Sequence, residues 1–200
     1  MYVEKTGNEL CVALDAYCGL IVVDMQEDFM DGGALAVTGG RRLIEPINRM
    51  VNLFDKKGLP IFFTRDWHPK DHCSFKDYGG MWPVHCVKNT KGAMFASGLF
   101  VPSSAYVVSK ATDREQEAYS GFKGTDLYTM IKEKDVKRIF VTGLATEYCV
   151  FETVKDAINL GLDTFVITDC ILGVDEKKAN EALNRMEQLG AKLLKGLHLA

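Results

Sequence analysis

Six short runs of aliphatic, β-branched and aromatic residues limit this chain to few folds. They are CGLIVVD (18–24), LPIFFTRD (59–66), AYVVSK (105–110), KRIFVTG (137–143), DTFVITD (163–169) and AKLL (191–194). Each is apolar on both faces, and a strand of that kind must be covered from both sides. Parallel sheets sandwiched between helices meet that demand. Helical spacing fills the intervals. Leu43, Ile44, Ile47, Val51 and Phe54 form one stripe stopped by Gly58. Val150, Val154, Ala157 and Ile158 form another, stopped by Gly161. Ala179, Leu183 and Met186 form a third, with Asp175 as N-cap and Gly190 as terminator. A shorter helix is expected around 125–134. The alternation predicts a doubly wound three-layer α/β/α sandwich, Rossmann-like, with a mainly parallel sheet of about six strands.

Two hundred residues fit one domain, residues 1–200. Two stretches break its rhythm. Residues 66–104 carry several glycines and prolines but few apolar repeats, and 111–124 (ATDREQEAYSGFKG) are polar. Loops this long in a compact fold are usually functional or disordered, and the aromatics and histidines of the first argue for function. The net charge is −3, with no basic stripe, so nucleic acid is not an expected partner. The apolar runs are too short to cross a membrane, and the N-terminus shows no signal-peptide core. A cytoplasmic protein is expected. The six cysteines (Cys11, Cys18, Cys73, Cys86, Cys149 and Cys170) form no CxxC pair, and most are expected to be buried thiols.

Ligands of an open parallel sheet bind beyond the carboxyl ends of its strands. The residues at those ends are Asp24, Asp66, Lys110, the GLATEYC turn (143–149) and Asp169. With Thr146 as N-cap of a helix over 147–160, Cys149 falls in the first turn. Free N–H groups and the helix dipole there favour a thiolate and can stabilise an oxyanion. Lys110 can support the thiolate and Asp24 can move its proton. The alternative is a buried structural cysteine. RDWHPKDHCSF (65–75) holds Asp66, His68 and His72, and His85 follows, so that three of the four histidines lie within 18 residues. Asp-x-His on extended chain points both side chains to one side, which suits a divalent metal. Loop histidines facing water are the alternative. Phe29, Trp67 and Trp82 could stack on a flat ligand or simply pack in the core, with Trp67 the most structural of the three. His198 reads as solvent-exposed.

Five segments, VDMQEDF (23–29), RDWHPKDHCSF (65–75), WPVHCVKNT (82–90), SKATDREQEAYSGFKGT (109–125) and GLATEYCV (143–150), resemble the nicotinamidase branch of the isochorismatase-like cysteine hydrolases, in the same order. The likeness covers residues 18 to about 195. It implies a catalytic triad of Asp24, Lys110 and Cys149. It also implies one divalent metal (zinc, iron or manganese) on Asp66, His68 and His85, with no organic cofactor. His72 sits only four residues after His68, a shorter spacer than in relatives that use a fourth histidine ligand, and is assigned to the second shell or substrate contact, with ligation the lesser option. The likeness further implies a cis Leu144–Ala145 peptide, an oxyanion hole at Ala145 and Cys149, and substrate contacts from Phe29, Trp82, Tyr119 and Ala145. Hydrolysis of nicotinamide, and of pyrazinamide as a surrogate, would be the activity, and a homodimer or homotetramer is a further expectation. Two rivals stand beside it: another amidase of the superfamily acting on a carbamoyl or ureido compound, and a non-catalytic metal-binding or redox-sensing protein. The 111–118 stretch departs from the family pattern and places Glu115 and Glu117 near the pocket mouth with no assigned role.

Overall fold

The computed structural model describes residues 3–6 and 9–196; His198 lies outside them. Two short strands, β1 (Val3–Thr6) and β2 (Glu9–Val12), pair antiparallel. No strand is expected there from the apolar runs, although Gly7-Asn8 is a hairpin-turn composition. The main sheet comprises β3 (Cys18–Val23), β4 (Ile61–Asp66), β5 (Tyr106–Lys110), β6 (Arg138–Leu144), β7 (Asp163–Leu172) and β8 (Lys192–Leu194). All its pairings are parallel, in the order β5-β4-β3-β6-β7-β8. The six expected strands are therefore present. β7 runs three residues further than expected, because its ladder with β6 is interrupted and resumes at Gly143 opposite Ile171.

Period-two alternation splits each central strand between two cores. Leu20 and Val22 face one side with Ile47, Val51 and Phe54 of α1 (Ile44–Lys56). Ile21 and Val23 face the other. There they join the apolar stripes of α2 (Leu127–Glu133), α3 (Phe151–Asn159) and α4 (Glu176–Leu189). Every residue of β3 is buried, as a strand covered on both sides requires. The end of α4 follows the sequence rules: Asp175 accepts from the Lys178 N–H, and Gly190 closes the helix in the left-handed conformation. No described helix is long and apolar enough to cross a membrane.

From β3 the chain builds outward through β4 to β5, then returns to place β6 on the other flank of β3. The order reverses there, and a crevice opens between the carboxyl ends of β3 and β6. Residues 67–105, which join β4 to β5, contain only short 3-10 turns and fold over that end of the sheet. Gly143 makes the close approach possible. Its φ is +111°, and a Cβ there would lie 2.0 Å from the Val23 carbonyl oxygen. Gly143→Ala should therefore cost about 3 kcal/mol or more. Gly161→Ala, which meets a positive φ of +81° but open space, should cost about 1–2 kcal/mol. Urea unfolding midpoints of the two variants compare them directly.

Candidate active site

Three strand ends and one turn meet in the crevice. Asp24 follows β3 with φ +48°, a left-handed backbone that turns its carboxylate under the sheet edge. Its Oδ1 accepts a 2.6 Å hydrogen bond from the Thr64 hydroxyl. Asp66 ends β4 and Lys110 ends β5, directly opposite each other in the ladder. The Lys110 side chain is fully buried and its Nζ reaches four groups. They are Asp66 Oδ1 at 2.5 Å, Asp24 Oδ2 at 2.9 Å, the Ala118 carbonyl at 3.1 Å and Cys149 Sγ at 3.5 Å. The Asp24 contact is close enough for strong attraction but off the hydrogen-bond axis, so Oδ2 has no aligned donor. That oxygen can receive a proton.

Cys149 stands in a widened π-helical turn, Thr146–Val150, that leads into α3. The expected N-cap at Thr146 is not observed. Ala145 holds the extended N-cap position, and Thr146 lies inside the first turn, buried. The Leu144–Ala145 peptide is cis. The thiol also differs from expectation. Burial pushes its pKa well above the ordinary thiol value, Lys110 offsets only part of this, and Asp24 and Asp66 add to the rise. The Lys110 charge is shared with two carboxylates, so only part of it acts on the sulfur.

The two carboxylates part ways. Burial raises the pKa of Asp24, and the pull of Lys110 does not cancel it. Burial also acts upward on Asp66, but Lys110 and then His68 prevail and hold Asp66 below its usual value. Opposed shifts in neighbouring acids mark different roles. Asp24 suits proton transfer, and Asp66 suits a permanent anion. Gln26 fixes Asp66 from behind: its carboxamide accepts from the Asp66 N–H and donates to the Asp66 carbonyl, both at 2.8 Å.

On the far side of Asp66, the ligand atoms of Asp66, His68 and His85 lie within 4.8 Å of one another, all buried. His68 Nδ1 sits 3.2 Å from the Ala111 carbonyl and His85 Nδ1 2.8 Å from the Pro83 carbonyl. A carbonyl only accepts, so each Nδ1 donates a proton and each Nε2 is left to face the cluster. His68 Nε2 has no hydrogen-bond partner and faces the Asp66 carboxylate at 3.8 Å. Burial brings the His68 pKa down to about 4, so this imidazole is neutral near pH 7. A lone pair buried against an anion fits a cation between them. His72 is spent otherwise: Nδ1 pairs with the Ser74 hydroxyl at 2.7 Å and Nε2 with the Gln116 carbonyl at 3.2 Å. Its ring stacks behind His68 at 4.2 Å, outside the three-residue cluster.

A cavity with about 570 Å³ of empty space, its open mouth included, connects these groups. Phe29, Trp82, Tyr119, Ala145, Asp66, His85 and Cys149, all named from the sequence as candidates, line it. Trp82 donates to the Tyr119 hydroxyl at 2.9 Å, which ties two walls together. Trp67 stands apart, stacked under the Arg65 guanidinium at 3.7 Å and packed on the core. Asp169 also fails to join the site. It is exposed where the β7 ladder is interrupted, and accepts from the Gly196 N–H. Leu35, Ala36, Val37, Leu144, Tyr148 and Val174 also line the wall and were not expected as contacts. Only Leu144 and Tyr148, inside the quoted GLATEYC turn, carried a local signal. Glu117 lines the cavity too, whereas Glu115 is exposed.

An isochorismatase domain model matches residues 18–196. The nicotinamidase/pyrazinamidase of Mycobacterium tuberculosis is 37% identical over 184 residues, covering 88% of this chain and 97% of that protein. The pyrazinamidase of Pyrococcus horikoshii, solved with zinc, superposes with a TM-score of 0.88 at 45% identity, covering 90% of this chain and 99% of the other. An L. infantum protein solved with nicotinate superposes with a TM-score of 0.89 at 33% identity, covering 96% and 99%.

Replacing the central cation gives a direct test of this electrostatic arrangement. Lys110→Met should destabilise the metal-free protein by about 3–5 kcal/mol at neutral pH, because two buried carboxylates lose their counter-charge. The deficit should shrink as pH falls and those carboxylates take up protons. Urea titrations of both proteins at several pH values read both effects.

Proposed function

The chain belongs to the isochorismatase family, and from that premise we propose that it is a nicotinamidase, hydrolysing nicotinamide to nicotinate and ammonia. One observation carries the reading. The Lys110-centred group with Cys149 and the Asp66/His68/His85 cluster open onto one cavity walled by aromatic rings, sized for a small flat heterocycle.

Phe29 and Trp82 flank the ring, and Tyr119, held by Trp82, closes one side. Asp66, His68 and His85 would hold a divalent cation, for which zinc suits the donor set. When bound, it supplies a Lewis acid for the pyridine nitrogen and fixes which edge of the ring faces Cys149. Cys149 Sγ attacks the carboxamide carbon while its proton passes to Asp24 Oδ2, the carboxylate oxygen without an aligned donor. Burial disfavours the thiolate, so a proton acceptor at Asp24 is needed as the sulfur attacks. The backbone N–H groups of Ala145 and Cys149 are assigned to the oxyanion. Asp24 returns the proton to the leaving nitrogen, ammonia departs, and a thioester remains. Water then attacks the thioester carbon, Asp24 takes its proton, and the Cys149 thiol is restored as nicotinate leaves. Lys110 keeps Asp24 anionic between these steps and holds Asp66 in place.

Purified, metal-loaded protein should release ammonia from nicotinamide. Cys149→Ala should lower the rate by about 10³-fold or more while metal content is kept. His85→Ala should lose both metal and turnover. No release from metal-replete protein would overturn the reading. Near-normal turnover by Cys149→Ala would overturn the nucleophile.

A further inference from the structure

The chemistry proposed above turns a neutral amide into an anion inside the cavity. The carboxylate forms beside Cys149, whose sulfur is 3.5 Å from the Lys110 ammonium. A site built around that ammonium, and able to hold a divalent cation, tends to retain an anionic product. Two side-chain carboxylates line the cavity, Asp66 and Glu117. Asp66 is ion-paired to Lys110, which it shares with Asp24, and it stands in the candidate cation cluster with His68 and His85. Glu117 enters no ion pair among the described residues, so its charge is uncompensated. It is partly buried, and its Oε1 accepts the Ala118 N–H at 2.9 Å, which fixes the carboxylate in the wall. Its field reaches Tyr119 on the adjoining wall. Burial raises the pKa of Tyr119, the Trp82 hydrogen bond opposes this, and the Glu117 charge raises it further.

We propose that Glu117 is a specificity residue of the cavity, admitting neutral pyridine carboxamides and disfavouring the pyridine carboxylates made from them. The inference rests on the nicotinamidase reading. Glu117 stands in the 111–118 stretch that departs from the family pattern. It acts by charge alone, repelling an anion across the cavity while leaving a neutral ring of the same shape undisturbed. Glutamine at this position keeps an oxygen to accept the Ala118 N–H, and so preserves the Ala118 carbonyl that holds Lys110.

The test is calorimetric binding of nicotinate and of neutral 3-pyridinemethanol to metal-loaded wild-type and Glu117→Gln protein. Nicotinate should bind the variant about three- to tenfold more tightly, the effect of one unit charge across a partly solvated cavity, and the neutral alcohol should shift by less than about twofold. Added salt should narrow the nicotinate difference. An unchanged nicotinate affinity overturns the proposal. So does an equal shift for both ligands, which would mark a change of shape. Ammonia release from nicotinamide by the wild type is measured separately. Its absence with charge-selective binding intact retires the reaction and leaves the selectivity standing. Failure of both ligands to bind the wild type ends both.

Discussion

A buried ammonium organises this molecule. Lys110 carries its charge to the floor of the crevice, where an unpaired cation would cost several kcal/mol. Its partners come from separate segments: Asp24 after β3, Asp66 ending β4, Ala118 in the following loop and Cys149 after β6. None of these segments can shift without uncovering the charge. The strand order β5-β4-β3-β6 brings three of those carboxyl ends side by side with the turn after β6. Gly143 then lets β6 pass the end of β3 at a distance no side chain would permit.

Two similar acids acquire different chemistry around that cation. Asp66 sits between Lys110 and the His68/His85 pair, its pKa is held below the usual value, and its carboxylate joins a cluster that could hold a cation. Asp24 has Thr64 on one oxygen and no aligned donor on the other, and its pKa is raised. It is poised to exchange a proton with the nearby thiol. Lys110 therefore does more to balance the two carboxylates than to ionise Cys149, whose own pKa burial drives upward.

Much of this was legible in the sequence because it is local. Runs apolar on both faces located all six strands of the main sheet, and reading the last residue of each strand found Asp24, Asp66 and Lys110. The spacing of Asp66, His68 and His85 brought together three side chains that do cluster, and the quoted motifs pointed to Phe29, Trp82 and Tyr119. What escaped depends on packing between distant segments. Leu35 to Val37 and Val174 join the wall only through tertiary folding. Thr146 looked like an N-cap by composition, yet the π-helical turn pulls it inside. Asp169 lies near a strand end but falls where the ladder is interrupted. The upward pull on the Cys149 pKa was not legible, because a helix start and one lysine can be read from sequence, whereas the burial of the thiol and the carboxylates sharing that lysine's charge require the structure.

The central claim is that Cys149, relayed by Asp24, forms a covalent bond with the substrate carbonyl. Rapid mixing of metal-loaded protein with nicotinamide, acid quenching within the first turnovers and mass analysis of the peptide bearing Cys149 tests it directly. That peptide should be heavier by one pyridinecarbonyl group, at levels that follow ammonia release. Ammonia release with the peptide unmodified throughout, or with the group on another residue, would contradict it.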